Sequence, residues 1–220
     1  MKYSIKVNVL ENSKNSIKGF ANVVFGDCFK ISNIAIVENK EKGEMFVSMP
    51  RYSSSKEESG YKDVCNPITK EFRQELYNNI LATFEEVRKG GDGKLFVGDE
   101  KDNSMPFQVQ VTPYEKEGSN IRGLARIYVN DCFVVSNVSL LEGMHGVFVA
   151  MPSYKTKQKD EQGKSIYQDI CFPVTKDFRE KLNQELKDGL EKAKEKKQSA
   201  DQHTERNAQD VEKGKDAPLR

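Results

Sequence analysis

The residues of this chain best suited to chemistry are cations and phenols gathered just after a Met-Pro pair. Between Lys155 and Lys164 the sequence holds Lys155, Lys157, Lys159 and Lys164 against Asp160 and Glu161, with Tyr154 and Tyr167 close by on either side. Flexible lysines neutralise phosphate charge without demanding fixed geometry, and phenol rings offer faces on which unpaired bases stack. A nucleic-acid backbone fits this pattern; a solvated charged loop is the alternative. An earlier stretch is a poorer counterpart, because Arg51, Lys56 and Lys62 are offset by Glu57, Glu58 and Asp63. Arg73 and Arg179 each follow a phenylalanine at the start of a periodic apolar segment. There an arginine either contacts a phosphate beside the loop or pairs with a carboxylate, here Asp63 and Asp169.

Other chemistries lack their residues. The chain has two histidines, His145 in a turn and His203 in a polar tail. No Gly-rich phosphate loop, metal-ligand spacing or nucleophile motif occurs, so the reading is a non-enzyme with no cofactor and no metal. The four cysteines fall as two equivalent pairs, Cys28/Cys65 and Cys132/Cys171, without a C-x-x-C. Buried reduced thiols are expected, with an intradomain disulfide as the alternative; zinc is disfavoured for want of four ligands.

These residues sit in a chain that repeats itself. Residues 61–76 read YKDVCNPITKEFRQEL and residues 167–182 read YQDICFPVTKDFREKL, with nine of sixteen positions identical. Asp27-Cys28-Phe29 answers to Asp131-Cys132-Phe133, and Met49-Pro50 to Met151-Pro152. The 220 residues therefore divide into repeat 1 (1–88), a Gly-containing linker (89–106), repeat 2 (107–194) and a polar tail (195–220) expected to be disordered. Net charge is +1 and evenly shared, so nucleic-acid binding would come from local patches. No apolar run reaches membrane-spanning length and residues 1–10 alternate rather than forming a leader, which predicts a cytoplasmic protein without membrane contact.

Each repeat must position its cations on the same frame. Tyr3, Ile5, Val7 and Val9 alternate with polar residues as a half-buried strand, and residues 17–25, 28–37 and 45–49 follow as further strands. Gly26-Asp27 and Asn130-Asp131 sit where hairpins must turn. The alternation breaks between Ile31 and Ile34, a sign of a bulge. Thr69 and Thr175 are placed as N-caps of helices whose stripes are Phe72, Leu76, Ile80, Phe84 and Phe178, Leu182, Leu186, Leu190. Strands first and a helix last is an α+β order: two tandem repeats, each an antiparallel sheet of four to five strands followed by one helix.

The blocks now in view resemble the SpoVG (septation, stage V sporulation protein G) family. Val147-Phe148-Val149-Ala150-Met151-Pro152-Ser153 looks like its F-V-A-M-P-S strand end, Asp131-Cys132-Phe133-Val134-Val135 its D-x-F-V-V strand, and Leu141-Glu142-Gly143 its I-E-G turn. Tyr167-Gln168-Asp169-Ile170 with Pro173-Val174 resembles the segment before its helix. The resemblance implies bacterial regulators of septation and sporulation that bind DNA and RNA and dimerise through their sheets. Two copies in one chain would then form that pair as an intrachain pseudo-dimer. The family's loop after M-P-S, with the helix beyond, is associated with nucleic-acid contact; Lys155 matches one of its two basic positions and Tyr154 replaces the other. In repeat 1, Arg51 takes the serine position and Tyr52-Ser53-Ser54 carries no basic residue. A protein-interaction module acting in division or regulation, without nucleic acid, is the second reading. Further oligomerisation is left open.

Overall fold

In the computed structural model, residues 1–55, 58, 60–102 and 104–213 are described, with backbone alone for 200–213. Repeat 1 comprises β1 (Tyr3–Val9), β2 (Ile17–Phe25), β3 (Phe29–Asn39), β4 (Glu44–Ser48), β5 (Arg51–Ser53), β6 (Tyr61–Asp63), β7 (Cys65–Pro67) and helix α1 (Lys70–Arg88). After β8 (Lys94–Val97), repeat 2 follows with β9 (Phe107–Pro113), β10 (Ile121–Val129), β11 (Phe133–Gly143), β12 (Gly146–Ala150), β13 (Ser153–Lys159), β14 (Ser165–Asp169), β15 (Cys171–Pro173) and α2 (Lys176–Lys213). The α+β reading of two strands-then-helix repeats holds.

The repeats are joined by exchanging strands. β7 of repeat 1 pairs with β11 of repeat 2, Cys65 opposite Val135, and β15 of repeat 2 pairs with β3 of repeat 1, Cys171 opposite Ile31. The anticipated bulge is what receives the visitor. Asn33 and Asn137 adopt φ of 61° and 62°, a left-handed conformation asparagine tolerates, and the register slips at each. The slip aims the Ser32 amide at the Ile170 carbonyl and the Ser136 amide at the Val64 carbonyl, each 2.7–2.8 Å across the repeats. The hairpin turns are tight for a related reason: Gly26-Asp27 and Asn130-Asp131 all have positive φ, the twist that matches two strands joined by a short turn.

Alternation on β1, β2 and β3 sends Tyr3, Ile5, Val7, Val23, Phe25, Phe29, Ile31 and Ile36 inward against the stripe of α1. Thr69 caps that helix, its Oγ1 accepting from the Phe72 amide at 3.3 Å. Repeat 2 does the same with Ile127, Val129, Phe133 and Leu140 against Leu182, Leu186 and Leu190. Rings bridge the halves: Phe25 and Phe133 meet in a tilted pair with centroids 5.1 Å apart, and Phe178 of α2 meets Phe29 at 6.0 Å. The result is one continuous core under two sheets.

Three features of the structure bear on the sequence expectations. Within the Gly-containing linker 89–106, β8 adds to β1 as an edge strand, and Met105 is buried. In the polar tail, helix α2 is described as far as Lys213, and residues 214–220 lie outside the described part. The cysteines match the expectation of reduced thiols rather than the disulfide alternative. All four are free thiols, and strand exchange sets fully buried Cys171 close to buried Cys65 of the other repeat.

Candidate nucleic-acid interface

The lysine-rich stretch after Met151-Pro152 is a hairpin, not a loop. Among the described residues β13 and β14 pair only with each other, Tyr154 facing Gln168, Lys155 facing Tyr167 and Lys159 facing Ser165, with an irregularity between. The sequence hid this because both faces are polar, so no apolar alternation marks a strand. The turn closes on Asp160, whose carboxylate accepts from the backbone amides of Gln162 and Lys164. Lys155, Lys157, Lys159 and Lys164 are all exposed, and Tyr167 is 64% exposed beside Lys155. Tyr154 donates its hydroxyl to Gln168 Oε1 at 2.7 Å, holding its ring against the hairpin. Six of the expected contact residues, four lysines and two tyrosines, thus share one projecting ribbon.

Arg51 is brought to the same neighbourhood from the other repeat. Its own short hairpin, β5–β6, sets it opposite Asp63, and its guanidinium lies 5.3 Å from the Tyr61 ring centroid. Arg51 and Tyr154 line one groove of about 500 Å³, in which the hairpin of repeat 2 faces Phe20, Val37 and Met49 of repeat 1. The mirrored groove, about 370 Å³, sets Tyr52 and Lys62 of repeat 1 against Gln110, Thr112 and Arg126 of repeat 2. Strand exchange causes this: each hairpin is anchored at its base, Ile170 N to Pro152 O and Val64 N to Pro50 O, next to a strand already inserted in the other sheet. Sequence reasoning missed Tyr52 and Arg126, and gave Lys62 little weight, because their proximity exists only across repeats.

Arg73 and Arg179 hold structural positions. Each donates a guanidinium N–H to a carbonyl at the end of its exchanged strand, Pro67 at 3.0 Å and Pro173 at 3.1 Å. Burial raises the Asp63 carboxyl above its usual range, opposed by Arg51 and Arg73, and burial raises Asp169, opposed by Arg179. Neither arginine forms a close ion pair with its aspartate among the described residues, so the carboxylate pairing expected from sequence is a longer-range attraction only. Among the described residues no group of three or more His, Cys, Asp and Glu could hold a metal ion.

The SpoVG sequence model matches residues 1–86 and again residues 106–191, one match for each strands-and-helix unit. The chain belongs to the SpoVG family. Similar proteins named "Putative septation protein SpoVG" occur in Treponema denticola, 33% identical over 73 residues, which is 33% of this chain and 74% of that protein. One from Phytoplasma australiense is 38% identical over 68 residues, 31% of this chain and 65% of the relative. Another from Lachnospira eligens is 35% identical over 85 residues, 39% of this chain and 89% of the relative. These SpoVG relatives are matched over about one repeat, so this chain carries the family unit twice. No described helix is long and apolar enough to cross a membrane.

Proposed function

We propose that this tandem SpoVG-family chain is a cytoplasmic, non-catalytic regulator that binds DNA and/or RNA in the control of septation and sporulation, with repeat 2 as the main contact surface. The observation that carries the reading is the β13–β14 hairpin, where four exposed lysines and an open Tyr167 ring stand clear of the core. Such a ribbon neutralises phosphates and stacks a base without sequence-specific readout. Fluorescence anisotropy of labelled single- and double-stranded oligonucleotides across a salt series tests it. Affinity should fall steeply with salt, and replacing Lys155, Lys157 and Lys159 together by alanine should weaken binding by about tenfold and flatten the salt slope by roughly 2. Absence of binding at low salt, or a triple variant indistinguishable from the parent, would overturn it.

A second reading, a protein-interaction module, is favoured by one observation. The groove under Tyr154 is largely apolar, and the buried Asn33 Nδ2 lining it has no hydrogen-bond partner among the described residues. An orphan buried donor costs about 1–3 kcal/mol unless something accepts from it. Pull-down with and without nuclease separates the readings: partners that persist after nuclease treatment support this one.

A further inference from the structure

The outward face of repeat 1's sheet carries three lysines that neither hairpin uses. Strand register sets Lys94 directly beside Lys6, and Lys6 beside Asn22. Two residues along the strands, one cross-strand row runs Phe96, Ser4, Val24, Lys30 and Phe172 over β8, β1, β2, β3 and β15. Aromatic rings therefore flank the row, roughly 19 Å apart at ~4.8 Å per strand. Phe96 is 40% exposed, with the Lys2 ammonium 5.5 Å from its ring centroid, and Lys30 lies 5.8 Å from the Phe172 centroid.

The fold does not require this charge. Like charges directly opposite on a sheet are destabilising, and a nearby carboxylate is the ordinary remedy. Among the described residues, no Asp or Glu lines the hollow of about 490 Å³ over this face. Lys6, Lys30 and Lys94 form no ion pair among the described residues. At the matching places repeat 2 has Gln110 for Lys6, Val134 for Lys30 and Asn66 for Phe172, and among the described residues its β9 edge carries no counterpart of β8. The same sheet thus folds without the lysines, and the strand that supplies Lys94 and Phe96 is an addition to repeat 1.

We infer that this face is a platform for single-stranded nucleic acid, with phosphates on Lys6, Lys30 and Lys94 and a base stacked on Phe96. The inference rests on the nucleic-acid reading above and extends it to a second surface. Charge complementarity selects a polyanion. The exposed ring at the edge selects an unpaired strand over a duplex, whose bases are already stacked on one another.

The chain contains no tryptophan, so F96W in the full-length protein places a sole indole at the proposed stacking position. Titration with a thymidine oligonucleotide should quench its fluorescence with the midpoint seen by anisotropy, and a polyglutamate of equal charge should not. Combined substitution K6S/K30S/K94S should lower single-strand affinity by about tenfold and flatten the log K against log salt slope by about 2. Duplex affinity should change less. Circular dichroism verifies the triple variant's fold, and if it does not fold, the F96W quenching decides alone. Binding by anisotropy with no quenching and an unaffected triple variant would overturn the platform while leaving the hairpin reading intact. Equal quenching by polyglutamate would replace nucleic acid with an acidic protein and overturn it too. No binding of either strand form overturns both.

Discussion

Cys28 shows how a single residue's surroundings decide its chemistry. Its thiol is half-buried beside Asp27; burial first, and that carboxylate second, push its pKa up to about 11 from 9.0. Burial likewise raises Cys132 and Cys171, so these groups stay protonated at neutral pH, consistent with reduced thiols that are not nucleophiles. An acid whose folded pKa lies above its unfolded value holds its proton more tightly when folded. Its contribution to stability is complete below pH ~9 and is lost as pH rises toward 11. Urea midpoints under reducing conditions should therefore fall between pH 8 and 10.5, and Cys28→Ser should shrink that fall; equal falls in both proteins would refute the assignment. At this scale the sequence was partly legible. The cations after Met151-Pro152 could be found as a local cluster. Lys6, Lys30 and Lys94 could not, because they are distant in the chain and converge only through strand register.

Elements were legible where one face is apolar. The alternation in β1 and β10 and the stripes of both helices follow from having a core side and a solvent side. β5, β6, β13 and β14 are polar on both faces, and β8 is four residues long after a glycine-rich turn, so neither type offers that signal. Where helix crosses sheet, both repeats place a glycine, Gly19 in β2 and Gly123 in β10. A Cβ at Gly19 would stand 2.8 Å from the Asn8 carbonyl oxygen and 3.1 Å from the Phe84 ring, whereas at Gly123 its nearest neighbour is the Leu190 Cδ1 methyl at 2.9 Å. A backbone oxygen held in a strand cannot withdraw; a leucine methyl can rotate. Gly19→Ala should cost about 1–3 kcal/mol in urea unfolding and Gly123→Ala clearly less. Equal costs would show that the helix, not the strand backbone, sets the clearance.

For the whole molecule, the decisive fact is that each sheet is completed by the other repeat. Sequence could announce the duplication but not the exchange. Cys65-Asn66-Pro67 and Cys171-Phe172-Pro173 occupy equivalent positions, so the pattern reads identically whether a strand stays home or crosses over. The exchange predicts that cutting the chain between Asp99 and Asp102 leaves two halves that migrate together on size-exclusion chromatography with light scattering. They should separate only under denaturing conditions; halves that part in native buffer would contradict the shared core. The same arrangement joins the two proposed surfaces, because β15, which carries Phe172 beside the lysine face, directly follows the lysine hairpin.

Strand exchange also sets an order of events during synthesis. β3 emerges from the ribosome early, yet its neighbour β15 is not translated until residue 173. At about 5–20 residues per second the nascent first repeat carries an unpaired edge for on the order of ten seconds. Throughout that interval the newborn chain is a template for unwanted pairing, and its last sheet strand to be made is the one that closes the first sheet begun.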